Sequence, residues 1–221
     1  MKIAAVVGPS GTGKTHLIEQ VVAELKRRGL SVAVIKHCSQ GFNLDRQGKD
    51  SWRFKEAGSD GVGLVSPGEI AVVQRQSDRV EDFLLATSYF ADMDIVFVEG
   101  RHADRHLPKV ELLRKGVAER VATPIEELAA VVSDFDIRIA RPVFRFNQIN
   151  EIADFFEKEM PMNEPRVVLE IDGTAIPLNS FVQGFMENIM MGILQSLKNA
   201  QPNPKTISLH IRRRNKKDEK S

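Results

Sequence analysis

The sequence predicts an α/β protein built on a mainly parallel sheet with helices on both faces. Three observations predict it. Short unbroken apolar runs recur along the N-terminal part of the chain, amphipathic stretches with helical spacing separate them, and a glycine-rich turn joins the first run to the first helical stretch. Strands buried on both faces read as continuous apolar runs, and the helices between them supply the crossovers that parallel pairing needs.

Residues 2–7 read as a buried first strand. Leu17, Val21, Val22 and Leu25 then recur at helical spacing, and Arg28-Gly29 supplies a basic last turn and a C-terminal stop. Residues 31–36 form the next strand, 51–56 a short helix, and 62–65 and 70–73 two further strands. Asp78 is placed to cap a helix carrying Val80, Phe83, Leu84 and Phe90. Strands are expected at 95–98, 110–113, 129–132 and 142–146, and a closing helix over 149–156. The pattern breaks at 160–165, where Pro161 and Pro165 suit a linker. Beyond it, 167–171, Asp172-Gly173 and 175–178 spell a hairpin, because Asp-Gly supplies the positive φ angles a tight turn requires. A helical pattern over 181–197 and a strand at 206–211 complete a small β-β-α-β unit. The expected division is a domain of residues 1–162 and an extension of 163–221.

The 31 Lys+Arg nearly balance the 30 Asp+Glu, leaving a net charge of +1, which argues against a nucleic-acid partner. A hydrophobic fraction of 42% is enough to bury a core. No apolar run approaches the roughly 20 residues of a membrane crossing, and the opening residues lead into a strand rather than a leader segment. A cytoplasmic protein without a membrane partner is therefore expected. A single cysteine, Cys38, leaves no intrachain disulfide and no paired-cysteine site. The tail 212–221, with six basic and two acidic residues, reads as a solvated terminus.

Gly8-Pro9-Ser10-Gly11-Thr12-Gly13-Lys14-Thr15 matches the phosphate-binding pattern G-x-x-x-x-G-K-[ST] at every fixed position, after a strand and opening a helix. Gly8, Gly11 and Gly13 remove side chains that would stop backbone amides curling around a polyphosphate, and the helix N-terminus adds a positive dipole end. Lys14 is expected at the β- and γ-phosphates and Thr15 on a magnesium ion, with Pro9, Ser10, Thr12 and His16 completing the nucleotide-binding stretch. Such a site needs an acidic residue at the C-terminal end of a neighbouring strand. Asp94 precedes the run 95–98 and falls at the wrong end; Glu99 follows it, and Gly100 lets the chain approach the phosphates closely. Asp45, after the second strand, is a candidate to hold a magnesium-bound water or orient the attacking one. Asp50 and Ser51 read equally as a helix cap. The expected sets are thus Lys14, Asp45 and Glu99 for catalysis, and Thr15, Asp45, Asp50 and Glu99 for magnesium, on a P-loop NTPase-type fold.

The phosphate loop on an N-terminal strand, then Val34-Ile35-Lys36-His37, Gly48-Lys49-Asp50-Ser51 with Ala57-Gly58, and Val96-Phe97-Val98-Glu99-Gly100 with Pro108-Lys109-Val110, resembles the MobB family over about residues 1–158. The resemblance implies a GTP-binding adaptor of molybdopterin-guanine dinucleotide biosynthesis with weak GTPase activity. It implies a homodimer that assists the nucleotidyltransferase MobA in attaching GMP to molybdopterin, which this chain would then also meet. It puts the phosphate contacts on Gly11, Gly13, Lys14 and Thr15, and the metal and γ-phosphate side on Asp45, Asp50 and Glu99. The chain departs from the family pattern at Cys38 and at Arg46-Gln47. The unit from Pro165 onward is similar to extensions fused to some MobB-like proteins, and reads as a docking module or a dimerisation unit.

The expected activity is slow, magnesium-dependent GTP hydrolysis. The sequence places no arginine at the transition state; Arg46 and Arg53 are the candidates, and lacking one costs about 10³ to 10⁵ in rate. Two other readings stand beside it: a nucleotide-gated adaptor without significant turnover, and a P-loop small-molecule kinase, for which the stretch after Lys36 lacks an Arg-rich lid. Asn215-Lys216-Lys217-Asp218 spells a guanine-reading pattern but sits in the charged tail and reads as coincidence. Asp134, directly after the strand 129–132, is the better candidate to read the base, with an ordinary Asp turn as its alternative. His37-Cys38 and His102-Ala103-Asp104-Arg105-His106 are each incomplete as transition-metal sites; Arg101, His102 and Arg105 alternatively meet an anionic pterin phosphate or a partner. Met186, Ile189, Met190 and Ile193 read as a core stripe, and Trp52, Phe42 and Phe54 as buried rather than stacked on a base.

Overall fold

The computed structural model describes residues 1–38, 40–42, 46–74, 89–90, 92–100, 107–160, 167, 169–171, 174–176, 178–198, 204, 207, 209 and 211. Asp45, the helix begun by Asp78, the segment 101–106, the Asp172-Gly173 turn and the tail 212–221 lie outside the described residues, as do 206, 208 and 210 of the strand expected at 206–211.

Six strands form one parallel sheet: β1 (Lys2–Val7), β2 (Val32–Lys36), β5 (Ile95–Glu99), β6 (Lys109–Leu113), β7 (Leu128–Ser133) and β8 (Val143–Phe144), in the order β2-β5-β1-β6-β7-β8. The alternation within β1 shows why the runs are apolar throughout. Ala4 and Val6 join the core on one face with Leu17, Ile18, Val21 and Leu25, while Ile3, Ala5 and Val7 join a second cluster with Val96, Val98 and Leu107 on the other. The first face is covered by α1 (Lys14–Arg27) and α3 (Ile149–Asp154). Phe97 of the sheet meets Phe156 edge-to-face with ring centroids 4.8 Å apart. Helix α1 ends on Arg28 and then Gly29, whose φ of 86° is the left-handed stop expected there.

The strands expected at 62–65 and 70–73 form as β3 (Gly61–Val65) and β4 (Ile70–Gln74), which pair with each other as an antiparallel ribbon outside the parallel sheet. Only residues 66–69 join them, closed by Ser66 N–H donating to Glu69 O at 2.9 Å, and so short a link reverses the chain but cannot make a crossover. The closing helix does not run on evenly to 156: after Asp154 it widens into a π-turn, Phe155–Glu159, where Met160 N–H donates five residues back to Phe155 O. The last strand of the sheet is two residues long rather than five.

In the C-terminal part, β9 (Leu169–Ile171) and β10 (Thr174–Ile176) pair antiparallel as the hairpin pattern requires, and α4 (Ser180–Ser196) starts at Asn179, whose side chain accepts from Val182 N–H at 3.0 Å. The expected core stripe on this helix is partly open to solvent instead: Ile189 and Ile193 are about half exposed and Met186 and Met190 half-buried, while Phe185 and Phe181 beside it are 58% and 80% exposed. The helical period marks one face, but among the described residues no layer covers it.

Candidate nucleotide-binding site

In a parallel sheet the crevice for ligands lies at the C-terminal ends of the strands. Strand β1 ends there at Val7 and the chain turns through residues 8–13 into α1. Gly8, Gly11 and Gly13 all have positive φ, at 140°, 83° and 97°. At Gly8 space is also short, because a Cβ would come within 2.9 Å of the Leu112 carbonyl oxygen. Thr12 is fully buried and its hydroxyl donates to Pro9 O at 2.9 Å, so this side chain braces the loop from inside. Pro9, Ser10 and Gly11 are exposed on its outer side.

Lys14 folds back over the loop and donates from Nζ to Gly8 O at 2.8 Å and Pro9 O at 2.9 Å. Its pKa lies below the ordinary lysine value, first because burial disfavours the charged form and then because of the nearby Lys36 ammonium; the Glu99 carboxylate opposes the shift. The ammonium thus sits in the mouth of the loop with one N–H beyond those two bonds. Thr15 donates its hydroxyl proton to Glu99 Oε1 at 2.6 Å, and Glu99 is buried, 7% exposed. Lys36 Nζ stands 3.6 Å from the same oxygen, at the end of β2 and in register with Glu99.

A Thr hydroxyl that gives its proton to a carboxylate keeps its lone pairs free for a cation, and hydroxyl plus carboxylate are the hard oxygen donors magnesium takes. Thr15 and Glu99 therefore fit that ion. Asp50, in the first turn of α2 (Asp50–Glu56), is exposed and stands 3.7 Å from Arg53. The structure pairs it within its own helix and records no contact between it and the loop among the described residues. Arg53 is engaged by that pairing, and Arg46 accepts Lys49 N–H through its carbonyl. His16 is exposed on α1, near Glu19. The space that Gly100 provides is taken by His37, whose Cβ would lie 2.8 Å from a Cβ at position 100, so the close approach there is between strand ends.

On the other side of β1, the strand β6 ends at Leu113 and delivers Arg114 to the loop. Its guanidinium lies 4.7 Å from the Phe146 ring centroid and 3.4 Å from where a Cβ on Gly13 would stand. Asp134, exposed after β7, accepts Lys115 N–H at 2.9 Å, so this carboxylate holds the turn that follows Arg114. Neither Arg114 nor the Lys36–Glu99 pairing was evident from the sequence. The available signal was position: Lys36 and Glu99 end β2 and β5, and Arg114 follows β6, all at the C-terminal edge of the sheet.

Phe42 and Phe54 were expected to be buried; both are 59% exposed, and Trp52 is half-buried. Helix α2 packs against the small ribbon rather than the main sheet, which leaves its outer residues in solvent. Cys38 is exposed and free. Among the described residues no cluster of three His, Cys, Asp or Glu side chains forms, and no helix is long and apolar enough to cross a membrane.

Comparison with known proteins gives a consistent result. A family model described as "Molybdopterin guanine dinucleotide synthesis protein B" matches residues 3–134, the stretch from β1 to Asp134. The molybdopterin-guanine dinucleotide biosynthesis adapter protein of Haemophilus influenzae is 35% identical, over 70% of this chain and 87% of its own length. A putative protein of the same name from Methanocaldococcus jannaschii is 25% identical over 96% of this chain and 97% of its own, so that its match runs through the C-terminal unit as well. The crystal structure of a MobB homologue from Bacillus stearothermophilus superposes with a TM-score of 0.51 at 25% identity, covering 72% of this chain and 97% of that one.

Proposed function

Because the chain belongs to the MobB family, we propose that it is an adapter in molybdopterin-guanine dinucleotide biosynthesis that binds GTP with magnesium, hydrolyses it slowly, and assists a MobA-type nucleotidyltransferase in joining GMP to molybdopterin. The observation that carries the nucleotide part is the Thr15–Glu99 pair at 2.6 Å beside a loop whose lysine crosses its mouth. In this reading, bound triphosphate takes the place of the Gly8 and Pro9 carbonyls as acceptor for Lys14, while amides of residues 8–15 surround its β-phosphate. Thr15 and Glu99 would hold a magnesium ion, which would supply charge neutralisation to the phosphates. Lys36, 3.6 Å from the same Glu99 oxygen, helps hold that carboxylate in place at the site. Asp45 and Asp50, the second at the start of α2, belong to the same reading as the groups that meet the γ-phosphate and its water once nucleotide is bound. Asp134 faces the base.

The adapter role asks more of the partner than of the chemistry. With no guanidinium on the γ-phosphate side of the site among the described residues, turnover is slow unless a partner supplies one. A homodimer completes the reading, supported by the ribbon β3–β4, which leaves Val65 80% and Ile70 74% exposed. Molybdopterin is then met jointly with the transferase. The test is single-turnover GTP hydrolysis with and without a MobA-type transferase. Acceleration by the partner supports the slow-GTPase adapter; equal rates favour a nucleotide-gated adapter in which hydrolysis is incidental, and transfer of labelled γ-phosphate to a small molecule would overturn both in favour of a kinase.

A further inference from the structure

Arg114 is the charged group at the candidate site that the proposed mechanism does not use. It stands half-buried at the end of β6, stacked on Phe146 and against Gly13, and its buried Nε has no hydrogen-bond partner among the described residues. The carboxylates of that edge are engaged elsewhere. Asp134 takes Lys115 N–H, Asp136 pairs with Arg145, and the buried Glu111 accepts from Ala122 and Thr123. A guanidinium left without an anion in a half-buried position is costly, and a polyphosphate oxygen is the acceptor its planar fork fits best.

Position decides which part of a nucleotide it meets. The sheet order puts β5, with Glu99, on one side of β1 and β6, with Arg114, on the other. The Thr15–Glu99 pair and Lys36 therefore mark the metal and γ-phosphate pole, and Arg114 lies across the loop from it, on the flank shared with Asp134. We propose that Arg114, held by Phe146 against Gly13, is a nucleotide-binding residue that contacts the phosphate portion common to GTP and GDP. This rests on the nucleotide-binding reading above and adds to it a direct ligand from β6. Phe146 acts through Arg114: it fixes the plane of the guanidinium so that little side-chain freedom is lost on binding.

The experiment is calorimetric titration of the full chain, with magnesium, by GTP and by GDP, for the wild type, Arg114→Met, Arg114→Lys and Lys14→Ala. Methionine keeps the packing on Phe146 and removes the charge. The expected result is a loss of roughly 10- to 100-fold in affinity for both nucleotides alike, the size of a hydrogen bond to a charged group. The nucleotide-free Arg114→Met protein is expected to melt no lower than wild type, because it has lost an unpaired charge; a role limited to bracing Gly13 would give wild-type affinity instead. Wild-type affinity in Arg114→Met, with both nucleotides lost in Lys14→Ala, overturns the proposal and leaves the nucleotide site standing. A loss confined to GTP overturns it too. If Arg114→Met does not fold, Arg114→Lys carries the test, with a several-fold loss for both nucleotides expected and unchanged affinity contradicting it. A wild type that binds neither nucleotide overturns the nucleotide-binding reading and this inference with it.

Discussion

The hydroxyl–carboxylate pair of Thr15 and Glu99 is the smallest unit on which the functional reading depends, and it makes a specific prediction. If both oxygens face the same cation, Glu99→Gln and Thr15→Val should each weaken GTP binding in the presence of magnesium by roughly 10- to 100-fold, a loss typical of disturbed metal surroundings, and change binding little in chelator. Equal losses in both conditions would make the pair a structural brace. Lys14, Thr15 and Glu99 were legible from the sequence because each stands at a position that strand-turn-helix geometry fixes by spacing alone. Arg114 was not, because its meaning comes from a ring 32 positions later in the chain and from the neighbour order of β1 and β6. Asp50 carries a related ambiguity: a helix first-turn carboxylate and a metal ligand share one sequence signature, and in the structure it stands beside Arg53 of its own helix.

Among the elements, α1 does two jobs, presenting its N-terminus to the loop and anchoring its C-terminus to α3. Arg28 makes that anchor, donating to Glu24 at 2.8 Å, Asp154 at 2.6 Å and Glu157 at 2.8 Å. The hydrogen bonds from Arg27 and Arg28 hold the Glu24 carboxyl down at about 2, from 4.5, and those from Lys158 and Arg28 hold Asp154 below its usual value. A lowered carboxyl pKa contributes stability that is fully present above the unfolded value and is lost as pH falls through the folded one. The wild type should therefore lose melting temperature as pH drops from about 4.5 toward 2, and Arg28→Ala should begin lower at neutral pH and fall less steeply across that window. Parallel melting curves for the two proteins would contradict the anchor. The periodicity that exposed α1 also marked β3 and β4 as strands, but it does not say which sheet a strand joins: their four-residue link is too short for a crossover, so they pair with each other. It misled at one place. The stripe of α4 resembles a core face, although the residues described around it leave it open.

At the level of the whole molecule, the inner strands β1, β5, β6 and β7 bury both their faces, and the loop, Lys36, Glu99, Arg114 and Asp134 all stand at strand ends along one edge of the sheet. This convergence follows from topology: the parallel pairing sends every C-terminus the same way, so groups distant in sequence arrive at one crevice. The family match covers that part of the chain, while the match to the Methanocaldococcus relative spans 96% of the chain and so reaches into the C-terminal unit. The measurement that tests the central claim most directly is calorimetric titration of the wild type and Lys14→Ala with GTP and with ATP, each with magnesium. The account predicts that the wild type binds GTP in preference to ATP and that Lys14→Ala loses most of that affinity; equal binding of ATP would contradict the guanine assignment, and equal binding by the two proteins would contradict the loop as the site that grips the triphosphate.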